Sequence, residues 1–298
     1  MTTAYKRLAW AAAGACYALI VLGGVVRITG SGLGCGNHWP LCNGRLLPPL
    51  DLPTIIEYGH RLVAAAVTFL VLGLAAVTWR LRRPVKNAGS TKVRDREPYT
   101  PSVAGYVALA LLALQVTLGA ITVKLDLPPW TIILHLGTAM LLFATLLYAA
   151  RAAPGTPGLR RGLVSTLVPV LAFGTVLLGA LTANLGAASA CLGFPLCNGH
   201  LIPDGNRFQY IHWTHRLLAF ALVAVAAARA TRSRRAGPRW VLALVLAQVG
   251  VAAAMVLGGL PEPLRIAHVA VGAAVWGAAV LAALDAGKNT PRFSPGGV

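Results

Sequence analysis

The chain has 298 residues, 57% of them apolar and 11% charged, with a mean hydropathy of +0.69. That composition excludes an ordinary soluble domain and indicates an integral membrane protein. A net charge of +18 would suit nucleic acid, but the basic residues are sorted by loop rather than gathered on one face, which excludes that partner.

Runs of about 20 apolar residues match the thickness of a bilayer core. Eight can be drawn, at about 8–28, 56–79, 103–124, 131–150, 162–183, 210–228, 239–259 and 264–284. The N-terminus, the 80–96, 151–161 and 229–239 loops and the C-terminal tail carry 19 of the 26 Lys and Arg. The other seven (Arg27, Arg45, Arg61, Lys124, Arg207, Arg216 and Arg265) lie at or near the opposite ends. The positive-inside rule then places both termini in the cytoplasm. The first run is too long, and too closely followed by others, to be a cleaved signal, and no small-residue cleavage site stands out. The expected fold is all-α, a multi-pass protein of the cell membrane with eight transmembrane helices.

The first run ends in Leu22-Gly23-Gly24-Val25-Val26-Arg27, where small residues permit close helix contact. Arg27 either snorkels to the interface or partners an anionic group on a ligand. Cys16 is read as a buried small apolar residue. The Gly- and Pro-rich stretch 29–53 follows, with Cys35 and Cys42; Cys191 and Cys197 occupy the third outer loop. All four face the oxidising side, where disulfides persist, and their spacing closes small rings. Two intraloop disulfides are expected. Free thiols or a four-cysteine zinc site are the alternatives, although the spacing is not C-x-x-C and the loops lie in different halves. His38 and His200 read as solvated loop histidines. Residues 81–101 are charged and hold prolines, a solvated cytoplasmic loop. The third run carries Gln115. The fourth opens at Trp130, an interfacial anchor, and carries His135. The 151–161 stretch is the natural boundary between an N-terminal half, 1–155, and a C-terminal half, 156–298.

The second half repeats the first. Leu22-Gly-Gly matches Leu178-Gly-Ala and Cys35 matches Cys191, both at an offset of 156. Pro-Leu-Cys-Asn-Gly recurs at 40–44 and 195–199, and His60-Arg61-Leu62 matches His215-Arg216-Leu217, both at 155. Gln115 and His135 match Gln248 and His268 at 133, the drop reflecting the shorter 229–238 loop. Two tandem four-helix bundles of one orientation are expected, a parallel repeat.

His60, His135, His215 and His268 each fall near the outer end of an inward-running helix, roughly 6–9 Å deep at about 1.5 Å per residue. Ionisable side chains at membrane depth mark function. Satisfied packing polars would explain one such histidine, but four, paired by depth and duplicated, are better explained as two facing pairs. Two facing imidazoles can grip a flat macrocycle, and haem iron accepts such axial ligands. Zinc or copper is a poorer match, because two ligands per site leave a zinc ion short. Glu57 lies three residues before His60, on the same helix face. A carboxylate there is costly unless paired or protonated, which suits proton transfer; the plainer reading is a helix-start glutamate favoured by the dipole. His212 holds the equivalent place, as a spare ligand or a packing polar. Arg61 and Arg216 either meet haem propionates or sit at headgroups. Gln115 and Gln248 are read as hydrogen-bonding between helices.

With these residues the chain resembles the haem A synthase family over essentially its whole length: eight helices in two related halves, cysteine pairs in the first and third outer loops, Glu-x-x-His on helix 2, and histidines on helices 4, 6 and 8. The resemblance implies an oxidoreductase of bacterial cytoplasmic membranes that converts a methyl group of haem O to the formyl group of haem A by successive hydroxylations, for terminal oxidases. It implies that His215 and His268 hold a haem b cofactor. His60 and His135 would receive the substrate haem O, with Glu57 essential beside them. The farnesyltransferase that makes haem O is the partner it suggests, with membrane lipid and an unnamed electron donor or acceptor. Since haem ligated on both faces cannot bind oxygen, either one first-half ligand leaves or electrons are removed and water is the nucleophile, with Glu57 taking a proton or positioning the water. The Cys35–Cys42 pair braces its loop or handles redox equivalents, bracing being preferred. Two other functions stay open: a di-haem membrane cytochrome b that transfers electrons, and a haem carrier. The outer-face depth of all four histidines weighs against electron flow across the membrane, and Glu57 weighs against a carrier.

Overall fold

The computed structural model of the chain describes residues 3–37, 39–46, 48–82, 103–151 and 163–286. Eight α-helices run through them: α1 (Thr3–Ile28), α2 (Leu52–Arg82), α3 (Ala104–Lys124), α4 (Pro129–Arg151), α5 (Leu163–Asn184), α6 (Arg207–Arg232), α7 (Ala236–Leu257) and α8 (Glu262–Ala286). Each is long and apolar enough to cross a bilayer. His38, most of the charged 81–101 stretch, the 151–161 boundary beyond Arg151 and the C-terminal tail lie outside the described residues.

Helices α2 and α6 begin about one turn further out than the apolar pattern predicts. The reason is capping, which hydropathy does not register. The Asp51 carboxylate accepts from the Thr54 amide at 3.1 Å. At the matched position Asn206 Oδ1 accepts from Phe208 and Gln209 amides at 3.0 and 3.4 Å. Both are N-terminal caps that satisfy otherwise orphaned donors.

Helices α1 to α4 contact one another in a ring, α5 to α8 do the same, and the two rings meet along α1, α4, α5 and α8. Lipid tails are as apolar as leucine, so close packing and interhelical hydrogen bonds must hold such helices together. The seam between the rings has both. Tyr17 Oη donates to the Ala270 carbonyl at 3.1 Å, and Trp276 Nε1 donates to the Met140 carbonyl at 2.9 Å. Gly24 lies so close to Val269 that a Cβ there would stand 2.8 Å from it. Outward, Phe69, Val170, Trp240 and Leu246 are exposed apolar side chains, as a lipid environment allows.

The loops leading into α2 and α6 are built alike. Each leaves its helix through a left-handed glycine, Gly30 at φ 69° and Gly186 at φ 74°, which a side chain would disfavour. A short 3-10 turn follows (Ser31–Leu33; Ala187–Ser189). Disulfides close Cys35 to Cys42 and Cys191 to Cys197. Cys42 and Cys197 pair their backbones with Arg45 and His200. Asn43 and Asn198 side chains donate to the Gly34 and Ala190 carbonyls at 3.2 and 3.0 Å.

Candidate haem-binding site

The four histidines project from α2, α4, α6 and α8 near the disulfide loops, and all four are partly buried. His60 and His215 lie a few residues deeper in their helices than His135 and His268 do, because α2 and α6 start earlier. The pairs nonetheless converge. The His215 and His268 rings lie edge-on to one another, with centroids 6.5 Å apart and planes 73° apart. His60 lies within electrostatic range of His135.

Three of the rings are seated on glycines of the neighbouring helix. An added Cβ would stand 3.3 Å from His60 Cε1 at Gly23, 3.1 Å from His135 Cε1 at Gly119, and 2.8 Å from His215 Cε1 at Gly179. The glutamines take the remaining ring contacts. Gln115 Nε2 lies 2.9 Å from His135 Nε2. Gln248 Nε2 lies 3.1 and 3.3 Å from the two ring nitrogens of His268 and donates to its carbonyl at 2.9 Å. The expected interhelical bonding of the glutamines therefore holds, and its partners are the histidines themselves. Ligation through His135 Nε2 requires Gln115 to turn away from it.

These residues fit a haem. Nδ1 of His60, His135 and His215 is buried without a hydrogen-bond partner; the Thr175 backbone approaches His215 without meeting hydrogen-bond geometry at Nδ1. Buried polar atoms in that state call for a ligand or strain. Two imidazoles on opposite faces of one iron would have centroids roughly 6 Å apart, from bonds of about 2 Å and about 1 Å from nitrogen to ring centre. The observed 6.5 Å matches that span. Among the described residues no three of His, Cys, Asp and Glu converge, so these pairs suit a metal that brings its other ligands with it.

Arg61 and Arg216 each reach a disulfide loop. They clamp their helices to the disulfide loops: Nη1 of Arg61 donates to the Leu41 carbonyl and Nη1 of Arg216 to the Leu196 carbonyl, each at 2.8 Å. The second nitrogen separates the halves. Arg61 Nη2 pairs with Glu57 Oε1 at 2.6 Å, whereas Arg216 Nη2 donates to the Cys191 carbonyl at 2.9 Å. Glu57 Oε2 accepts from the Cys35 amide at 2.8 Å. Glu57 is thus buried but paired on both oxygens, which offsets part of the desolvation cost expected of it. His212, also buried, lies with Nδ1 3.2 Å from the Ala187 carbonyl; it packs against its own loop. Arg27 donates to Asn184 Oδ1 at 2.7 Å and to the Ala183 carbonyl, holding the end of α5. His200 is an exposed loop residue, as expected, and Cys16 is buried.

The glycine seats and arginine clamps were missed at the level of sequence. The repeat carried a signal for the first, since Gly23 and Gly179 match at the offset of the cysteines.

Comparison with known proteins gives the same direction. The model of the cytochrome oxidase assembly protein family (COX15-CtaA) matches residues 6–54 and 52–280. A "Heme A synthase" of Symbiobacterium thermophilum is 34% identical over 282 residues, covering 87% of each chain. One of Bacillus licheniformis is 30% identical over 248 residues, 76% of this chain and 77% of its own. One of Geobacillus kaustophilus is 29% identical over 287 residues, 88% and 86%. With eight membrane-spanning helices, paired imidazoles and this match over most of its length, the chain belongs to the haem A synthase family.

Proposed function

We propose that the protein is a haem A synthase of the bacterial membrane, an oxidoreductase that converts the haem O methyl to a formyl group, with His60 and His135 receiving haem O and His215 and His268 holding haem b. The observation that carries this reading is the pair His215 and His268, with ring centroids 6.5 Å apart, together with His60 in electrostatic range of His135 beside a carboxylate. Haem b, when bound, supplies one-electron redox chemistry. Turning a methyl into a formyl group removes four electrons and adds one oxygen atom; with water as the oxygen source four protons leave the reacting half, and with dioxygen and an external electron donor protons are delivered to it. Glu57 is the buried acid there, one turn from His60, and its two oxygens are bonded by Arg61 and the Cys35 amide. It takes or relays those protons.

The parallel repeat and the cytoplasmic termini belong to this reading; matched caps, loops and clamps support the first, and basic-residue sorting the second. The N-terminal half would react and the C-terminal half would hold. Arg265, three residues before His268 and half-buried, is a cation placed to meet a haem propionate in the second half. Haem O would arrive from the farnesyltransferase that makes it. A di-haem electron-transfer protein would share the histidine pairs, but both pairs lie at one end of the bundle, which gives no path across.

The test is pigment extraction from cells making the protein together with a haem O supply. Haem A should appear and should vanish in Glu57→Ala and His60→Ala. His215→Ala or His268→Ala should lower haem b in the purified protein. Haem A persisting in both first-half variants overturns the catalytic assignment; haem b lost instead from His60 and His135 variants reverses the halves.

A further inference from the structure

A second site of another kind lies at the end of the bundle away from the disulfide loops. A cavity of about 470 Å³ opens among Arg229, Arg232, Ser233, Arg235, Gly237 and Asp285. Arg229 and Arg232 come from the last turn of α6, and Arg235 precedes α7. Arg229 and Arg235 lie within electrostatic range of each other. Among the described residues Asp285 is the one acid lining the cavity, and it is engaged: its two oxygens accept from Arg151, each at 2.9 Å, and its carbonyl accepts from Arg235 at 2.7 Å. Guanidinium groups gathered round one cavity repel unless an anion joins them.

The backbone adds donors. Helix dipoles favour Arg229 and Arg232 at the end of α6 but disfavour Arg235 at the start of α7. No side chain caps α7, and Ser233 Oγ is taken by the Arg235 amide at 3.2 Å. The first-turn residues Ala236 and Gly237 both line the cavity. Uncapped first-turn amides beside guanidinium forks are phosphate chemistry.

Beneath the cavity the helices are closely packed: Val168, Ala226, Val241, Ala279 and Ala283 are buried and leave only about 10 Å³. The cavity itself opens at the ends of the membrane-spanning α6, α7 and α8, with the exposed Trp240 on the first turns of α7, where anionic lipid headgroups are the anions at hand. We infer that this site binds the phosphate headgroup of an anionic phospholipid.

The full chain, purified in detergent, is titrated with single phosphatidylglycerol or phosphatidylcholine molecules and the adducts are counted by native mass spectrometry. Detergent removes the surface potential of a bilayer, so the readout is the site. Phosphatidylglycerol should bind preferentially. Arg229→Gln with Arg232→Gln should weaken it about 30-fold, at about 1 kcal/mol per arginine, while Arg234→Gln with Arg239→Gln, outside the cavity lining, should not. Equal weakening by both pairs would mean diffuse positive charge and overturns the site. Displacement by millimolar inorganic phosphate as readily as by phosphatidylglycerol would make it a small-anion site and overturns the lipid. Should the double variant not fold, Arg232→Gln alone, at an exposed position, should weaken binding about fivefold; unchanged binding there overturns the inference.

Discussion

Replacing Gly179 by alanine tests whether backbone packing sets the second histidine pair. The new Cβ would stand 2.8 Å from His215 Cε1, 3.4 Å from Nδ1 and 3.5 Å from Nε2. Carbon atoms rest at about 3.5–4.0 Å, so the ring or the helix must retreat by about 0.7 Å or more. Ligand constellations tolerate about 0.5 Å, and a misplacement of about 1 Å can cost on the order of 100-fold. The substitution should therefore lower haem b in the purified protein to less than about half and disturb its low-spin absorption spectrum. Overpacking of this kind typically costs about 1–3 kcal/mol, read as a fall in thermal midpoint. The same change made on a His215→Ala background removes the clash, so its stability cost should largely disappear, which a double-mutant cycle reads directly. Full haem b content with an unaltered spectrum in Gly179→Ala would refute the idea that the glycine seats the ligand.

Glu57→His copies the second-half arrangement into the first; haem A formation should fall to background while thermal stability stays within about 1 kcal/mol, and retained activity would make Glu57 a loop brace. Gln248→Leu should weaken haem b binding about 10–100-fold, the usual effect of losing a ligand's supporting hydrogen bond, measured by haem titration. Serine at both Cys35 and Cys42 should reduce haem A formation and leave haem b in place, because Cys35 contacts Glu57 and not the second pair; loss of haem b together with activity would point to general unfolding. Arg265→Gln should lower haem b affinity and shift its midpoint potential, and an unchanged potential would remove Arg265 from the propionate role.

Much of this fold could be read before any coordinates, for a physical reason. Lipid forces each span to be a long apolar helix, so hydropathy reports the eight elements almost directly. The histidines were legible because ionisable groups are rare at that depth and because the repeat paired them. The helix starts were less so: Asp51 and Asn206 act through side-chain geometry that apolarity does not record. The glycine seats depend on helix register, since Gly119 meets His135 only because of how α3 is rotated against α4. The arginine clamps were hidden for another reason. Next to a histidine at a membrane interface, a cation has several plausible anionic partners, and only the folded loop shows that carbonyls at Leu41 and Leu196 meet Arg61 and Arg216 first.

The comparison of Glu57 with His212 bears on which half reacts. Both stand one turn before a histidine, both are buried, and both touch the disulfide loop, Glu57 at the Cys35 amide and His212 near the Ala187 carbonyl. The clamp arginine adapts to either neighbour, pairing with Glu57 in one half and with the Cys191 carbonyl in the other. The scaffold therefore does not need an acid at this place, since a neutral imidazole serves the same loop. A buried carboxylate needs strong partners, and this one has two, Arg61 and the Cys35 amide. A buried acid whose place the other half fills with an imidazole, one turn from His60, is better explained by the proposed reaction than by the fold.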